Sequence, residues 1–182
     1  IMPRPIAWVS TISPEGRTNL APFSFFSGVG SRPPSVMFCP ANRRDGSPKD
    51  TLRNIRQTGE FVINLVSESL AEQMNQTAAE LPEEESEFDT WRIAATPSLT
   101  VRPLRVAASP VSIECQLLQE INLDSGPGGA NIVIGSIRHL QIHDEALDPA
   151  GFADPAKLNL IGRMGGTSYV RTSDRFDLPR PE

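Results

Sequence analysis

Residues 19–51 read NLAPFSFFSGVGSRPPSVMFCPANRRDGSPKDT, and the fold turns on how this stretch is parsed. Pro22 cannot donate to a strand ladder, so the segment Thr18 to Phe26 reads as an edge strand or a bulged one. Gly28, Gly30, Pro33 and Pro34 mark a turn. The apolar run Val36 to Cys39 then reads as a short buried strand. A loop with Arg43, Arg44 and Lys49 follows, where a helix is expected to start. Ser47 reads as its N-cap, Pro48 as its first residue and Asp50 as the partner of a capping box. Leu52 and Ile55 share one helix face, and Gly59 ends it. A strand bearing Phe23, Ser24, Phe25 and Phe26 beside a cationic helix start suits a flat ring with a phosphate tail. The helix N-terminus offers unpaired N–H groups and about half a unit of positive charge. Arg43, Arg44 and Lys49 add full charges, and Ser47 and Thr51 add hydroxyls. Asp50 opposes this, because its carboxylate competes for the same N–H groups. The plainer alternative is a core strand followed by an ordinary capped helix.

Outward from this stretch, Ile6 to Ile12 is dense in β-branched and aromatic residues. With the Pro14-Glu15-Gly16 turn it forms a hairpin with Thr18 to Phe26. Downstream, Glu60 to Val66 is a strand. Ser67 reads as the cap of a second helix carrying Leu70, Met74, Ala78 and Leu81, stopped by Pro82. Trp91 to Pro110 is broken by Pro97, Pro103 and Pro110, hence irregular. Val111 to Ile121 alternates apolar with polar, the pattern of a half-buried antiparallel strand. Gly126-Pro127-Gly128-Gly129 turns the chain into a long strand, Asn131 to His143. A short helix is expected near Pro155 to Ile161, then a loop from Gly162 to Gly166 and Tyr169. The sum is a mainly β protein, an antiparallel barrel with peripheral helices. A doubly wound parallel sheet would need helices after most strands.

The 182 residues, 38% hydrophobic and 21% charged, suit one globular domain spanning 1–182. A net charge of −5 argues against a general nucleic-acid binder. Much of the acid lies in Glu80 to Asp89, which reads as a solvated loop. No apolar run reaches the roughly 18 residues of a membrane span. Cys39 and Cys115 each lie in an apolar run and read as buried reduced thiols of a cytoplasmic protein. The start, Ile1-Met2-Pro3-Arg4, has no signal core and reads as a trimmed N-terminus. Gly28-Val29-Gly30 is followed by prolines rather than a helix, so it is no dinucleotide fingerprint. His139, His143, Cys39 and Cys115 lack the spacing of a zinc site. A hydrolytic triad has no support either.

Several motifs, in order, carry a family likeness. They are Pro3-Arg4-Pro5-Ile6-Ala7-Trp8-Val9-Ser10-Thr11, Asn19 to Phe26, and Lys49-Asp50-Thr51 with Asn54-Ile55. Thr58 to Val62, Ser86 to Asp89, Glu114-Cys115, and Arg163-Met164-Gly165-Gly166 with Tyr169 extend the series. Together they resemble the flavin reductase-like family, the FMN-binding split-barrel group that includes flavoredoxin and the reductase components of two-component monooxygenases. The resemblance implies a six-stranded antiparallel split β-barrel, a homodimer, and FMN in a groove near the dimer interface, with FAD as the alternative flavin. It places Ser10 and Thr11 where the first strand passes the flavin, and Ser24 and Phe25 at the ring edge. Asn42, Arg44, Lys49, Asp50 and Thr51 fall in the phosphate and ribityl region, and Met164 and Tyr169 approach the ring. Hydride from NAD(P)H would pass to the flavin, so no catalytic side chain is expected. A monooxygenase or an electron-transfer protein would be the partner. The alternatives are a flavoredoxin-like carrier that docks through Glu80 to Asp89, and a non-catalytic binding protein on the same barrel.

Overall fold

In the computed structural model, which describes residues 1–181, the chain opens with β1 (Arg4–Pro5), β2 (Ala7–Ile12), β3 (Thr18–Phe23), β4 (Phe26–Ser31) and β5 (Pro34–Phe38). Helix α1 (Asp50–Thr58) and β6 (Glu60–Asn64) follow, then a 3₁₀ turn (Glu68–Leu70) continuous with α2 (Ala71–Gln76). Next come α3 (Glu87–Thr90), β7 (Ala95–Thr96), β8 (Arg105–Val106) and the long pair β9 (Val111–Asn122) and β10 (Asn131–Ile142). A second 3₁₀ turn (Asp144–Ala146), α4 (Pro155–Leu158), β11 (Ile161–Gly165) and β12 (Ser168–Arg171) complete the chain.

The main sheet has the order β3-β2-β6-β9-β10-β5-β4, every pair antiparallel. Laid flat, its two edge strands would lie about 29 Å apart, at roughly 4.8 Å per strand. Yet only Ser24 and Phe25 join β3 to β4. That link spans at most about 11 Å in Cα steps of about 3.8 Å. The sheet must therefore curl until its edges meet at that corner, where the Cys39 N–H donates to the Phe25 carbonyl (2.9 Å). Elsewhere the edges remain apart. This is a split barrel, and register breaks in β4–β5 and β9–β10 supply the local bending.

Alternation along β2 separates two cores. Ala7 and Val9 join Phe23, Phe38, Leu52, Ile55, Phe61 and Ile113 inside the barrel. Ile6 and Trp8 face outward to Leu20, Leu70, Met74, Phe88 and Ile161. β2 is thus covered on both faces, which suits its run of apolar and small residues.

Several expectations need correcting. The sheet has seven strands rather than six, because the Gly-rich segment Phe26–Ser31 is an exposed edge strand and the turn shrinks to Arg32-Pro33. Helix α1 begins at Asp50 with Lys49 in the cap position, not Ser47. The Ser47 N–H and Oγ both donate to Asp45 Oδ1 (2.8 and 2.6 Å), so the capping box never forms. The second helix ends at Gln76, before Ala78 and Leu81. The acidic block is not wholly solvated, since Glu87 and Phe88 are buried. The start of β9 is buried on both faces, because Glu114 accepts from the Leu99 and Thr100 N–H groups of the loop above it (2.8 and 2.6 Å). Residues 161–171 form a hairpin rather than a loop. Cys115 is buried, and its thiol is pushed up to about 12 by desolvation. Cys39 is only half-buried.

Candidate functional site

The first turn of α1 supplies one end of the site. Lys49 makes no capping bond, so the leading N–H groups have no side-chain cap. Asp50 does not fold back on them. Its carboxylate lies between Arg43 and Arg53, bonded to the first and 2.6 Å from the second. The anticipated competition with a phosphate is thereby relieved, while Arg43 becomes partly neutralised. Lys49 and Arg44 form no ion pair among the described residues. Lys49 lines the cavity at this end, whereas Arg44 stands exposed in the loop.

Behind that turn lies a polar network that fixes its side chains. Thr51 Oγ1 donates to Asn19 Oδ1 (2.8 Å), and Thr11 Oγ1 donates to the same oxygen (3.3 Å) while accepting from Asn54 Nδ2 (3.0 Å). Asn19 Nδ2 in turn donates to Glu87 Oε1 (2.9 Å), and the Leu20 N–H donates to Glu87 Oε2 (2.8 Å). Burial pushes the Glu87 carboxyl above the usual glutamate range, against the opposing pull of these bonds. With its proton turned inward, Thr51 offers lone pairs to the cavity, leaving donation to Lys49 and the backbone.

From there a groove follows β3. A cavity of about 80 Å³ is lined by Asn19, Ala21, Pro22, Lys49, Thr51 and Ala78. It meets a second of about 200 Å³ at Pro22 and Ala78, where Ser24, Met74, Asn75, Arg163 and Tyr169 form the walls. Ser24 also borders an open, largely apolar cleft of about 570 Å³ with Arg4, Phe25, Phe26, Met37 and Cys39. The segment over the groove is pinned by the Trp8 indole N–H, which donates to Thr77 Oγ1 (2.8 Å).

The structure therefore brings Ser24, Lys49, Asp50, Thr51 and Tyr169 onto one groove, with Thr11 behind it. Phe25 lies beyond the corner, 63% exposed and facing the larger cleft. Ser10 points the other way along β2, is fully buried and donates to the Leu104 carbonyl. Asn42 fastens a distant turn, donating to the Asp124 and Gly126 carbonyls (3.3 and 3.1 Å) and accepting from Asn131 (2.9 Å). Met164 is half-buried on β11 and lines none of these three cavities. The expected aromatic wall divides as well: Phe23 packs inward on Phe38 with ring centroids 5.2 Å apart. Sequence reasoning missed Asn19, Pro22, Ala78 and Arg163 as groove residues. The run Asn19 to Pro22 was the available signal, since an edge strand with small residues leaves room beside its backbone.

A curled antiparallel sheet with a groove running from an uncapped helix start along one sheet edge is the frame of a split-barrel protein. The sequence model of the flavin reductase like domain matches residues 1–160, and the chain belongs to that family. It is 40% identical over 188 residues to an uncharacterized protein of Deinococcus radiodurans, covering 99% of this chain and 81% of that one. Nitrilotriacetate monooxygenase component B from Bacillus cereus is a similar solved structure, with a TM-score of 0.91 and 30% identity over 98% of this chain and 88% of that one. The 2-nitrobenzoate 2-nitroreductase NbaA of Pseudomonas fluorescens matches with a TM-score of 0.86 and 31% identity, over 100% of this chain and 86% of that one.

Proposed function

We propose that this single domain binds FMN along the β3 groove, as a homodimer, and serves as an NAD(P)H-dependent flavin reductase. The observation that carries the reading is the continuity of the groove, from the uncapped first turn of α1 through Pro22 and Ala78 to Ser24 and Tyr169. The residues present fit the group. Lys49 and the leading N–H groups of α1 are donors suited to a phosphate, and the Asp50 carboxylate in the same cavity is held by Arg43 and Arg53 rather than by those N–H groups. Ala21, Pro22 and Ala78 line the middle with small or flat side chains that leave room for a ring. Asn19, Thr11 and Glu87 hold Thr51 in place from behind, and Tyr169 closes the ring end. Ser10 and Asn42 act through the walls they brace, and Arg44 and Met164 have no groove contact assigned.

FMN, when bound, supplies the hydride-accepting chemistry itself, so the chain's residues bind, orient and exclude water. The likeness to a component B of a monooxygenase favours a monooxygenase as the consumer of reduced flavin.

Protein mixed with FMN should gain the flavin's visible absorbance. It should also gain about 2–4 kcal/mol of stability when FMN stands well above its Kd. Anaerobic NADPH or NADH should then bleach the colour. Absence of FMN binding overturns the reading, and binding without bleaching leaves a carrier of electrons. Lys49→Ala should weaken FMN about tenfold, as loss of a charge-assisted bond does. Stability of the flavin-free protein should move by no more than about 1 kcal/mol.

A further inference from the structure

Arg4 of β1 and Arg163 of β11 are paired directly across the antiparallel strands. Residues so placed share a face, and like charges there repel. Neither guanidinium is relieved by a carboxylate among the described residues. Arg17, Arg43, Arg53 and Arg56 each have an acidic partner, whereas Arg44 and Arg138, like Arg4 and Arg163, have none among the described residues.

Both guanidinium groups are held rather than free. Arg4 lies 5.5 Å from the Phe25 ring centroid, with Nε donating to Ser24 Oγ (3.1 Å) and Nη1 to the Ile1 carbonyl (2.9 Å). Arg163 lies 4.7 Å from the Tyr169 ring centroid and donates to the Gly166 carbonyl. Each guanidinium has five N–H donors, so most remain unused. Arg163 lines the 200 Å³ cavity, Arg4 lines the 570 Å³ cleft, and Ser24 borders both. Two fixed, unneutralised cations thus flank the ring end of the groove, beside the apolar walls of Phe25, Phe26 and Met37 that sharpen their field.

We infer that Arg4 and Arg163 bind an oxyanion on a second ligand entering the groove at this end. The inference rests on the proposed flavin reading only in calling that ligand the second. The shared chemistry is a carboxylate or phosphate group met by the planar fork of each arginine. Its source is either the pyrophosphate of a nicotinamide dinucleotide or the carboxylate of a small aromatic acceptor.

The test uses FMN-loaded protein, so that the Lys49 end is filled, and inorganic pyrophosphate and benzoate as probes at low salt. Arg4→Gln and Arg163→Gln should each weaken at least one probe about tenfold, the loss expected for one charge-assisted bond. Each variant should still bind FMN, with any change in FMN affinity well below the change in probe affinity. The probe that responds identifies the source of the oxyanion. Arg4→Lys and Arg163→Lys, which keep the charge and the packed stem, should retain part of the binding. The melting temperature of each variant separates this effect from misfolding. If FMN does not bind, the same titrations on Lys49→Ala protein isolate the arginine end. Probe affinity that is indifferent to both Gln variants overturns the inference, as does a parallel loss of FMN.

Discussion

Glu87 shows how much one side chain depends on its surroundings. In sequence it is one acid among many between Glu80 and Asp89, yet it is 6% exposed and accepts from Asn19 and the Leu20 backbone. Its folded pKa is raised by desolvation, so between the ordinary glutamate value and the raised one the folded state holds more protons than the unfolded state. Stability from this group is therefore full below the ordinary value, falls as pH rises through that window, and is level above it. Glu87→Ala should abolish that slope in denaturation midpoints measured across the acidic range. It should also lower stability by about 1–3 kcal/mol, because the buried Leu20 N–H loses its acceptor. A midpoint whose pH slope matches the parent's would show that the carboxyl titrates normally.

At the scale of an element, α1 was half legible. Its end was written in Gly59, which adopts φ 71° and returns its N–H to the Ile55 carbonyl (2.8 Å). A Cβ there would meet nothing within 4 Å, so the penalty for alanine is purely one of backbone conformation. Gly59→Ala should cost about 1 kcal/mol. Urea unfolding should show a lower midpoint with an unchanged slope. The beginning of α1 was misjudged because Asp45, two residues upstream, captures Ser47 first. Local rules rank candidate caps, but a competing acceptor in the same loop decides between them. The same substitution of partners turns Asp50 from cap to ion-pair bridge and leaves the helix start open.

For the molecule as a whole, the inner face of the curled sheet packs tightly across strands, with β6 and β10 lying on either side of β9. Gly135 on β10 faces Phe61 on β6 so closely that a Cβ would lie 2.3 Å from the ring Cζ and 3.2 Å from Cys115 Cβ. Phe61 is fully buried and cannot swing aside. Gly135→Ala should therefore destabilise by about 1–3 kcal/mol through overpacking. Adding Phe61→Leu should recover part of that loss in thermal melts. Strict additivity of the two changes would deny the contact.

The central strands, the leading hairpin, the edge position forced by Pro22 and the basic residues just ahead of α1 were determined by the sequence alone. Each follows from sterics and periodicity within a few residues. Only the tertiary structure decided which polar side chains remained available for a ligand. Ser10 is taken by Leu104, Asn42 by Asp124 and Gly126, and Glu87 by Leu20. Those partners lie far away along the chain and arrive only when the barrel curls. A hydrogen bond is set by distance in space, which local pattern does not carry, so the groove became visible only after the sheet had curled.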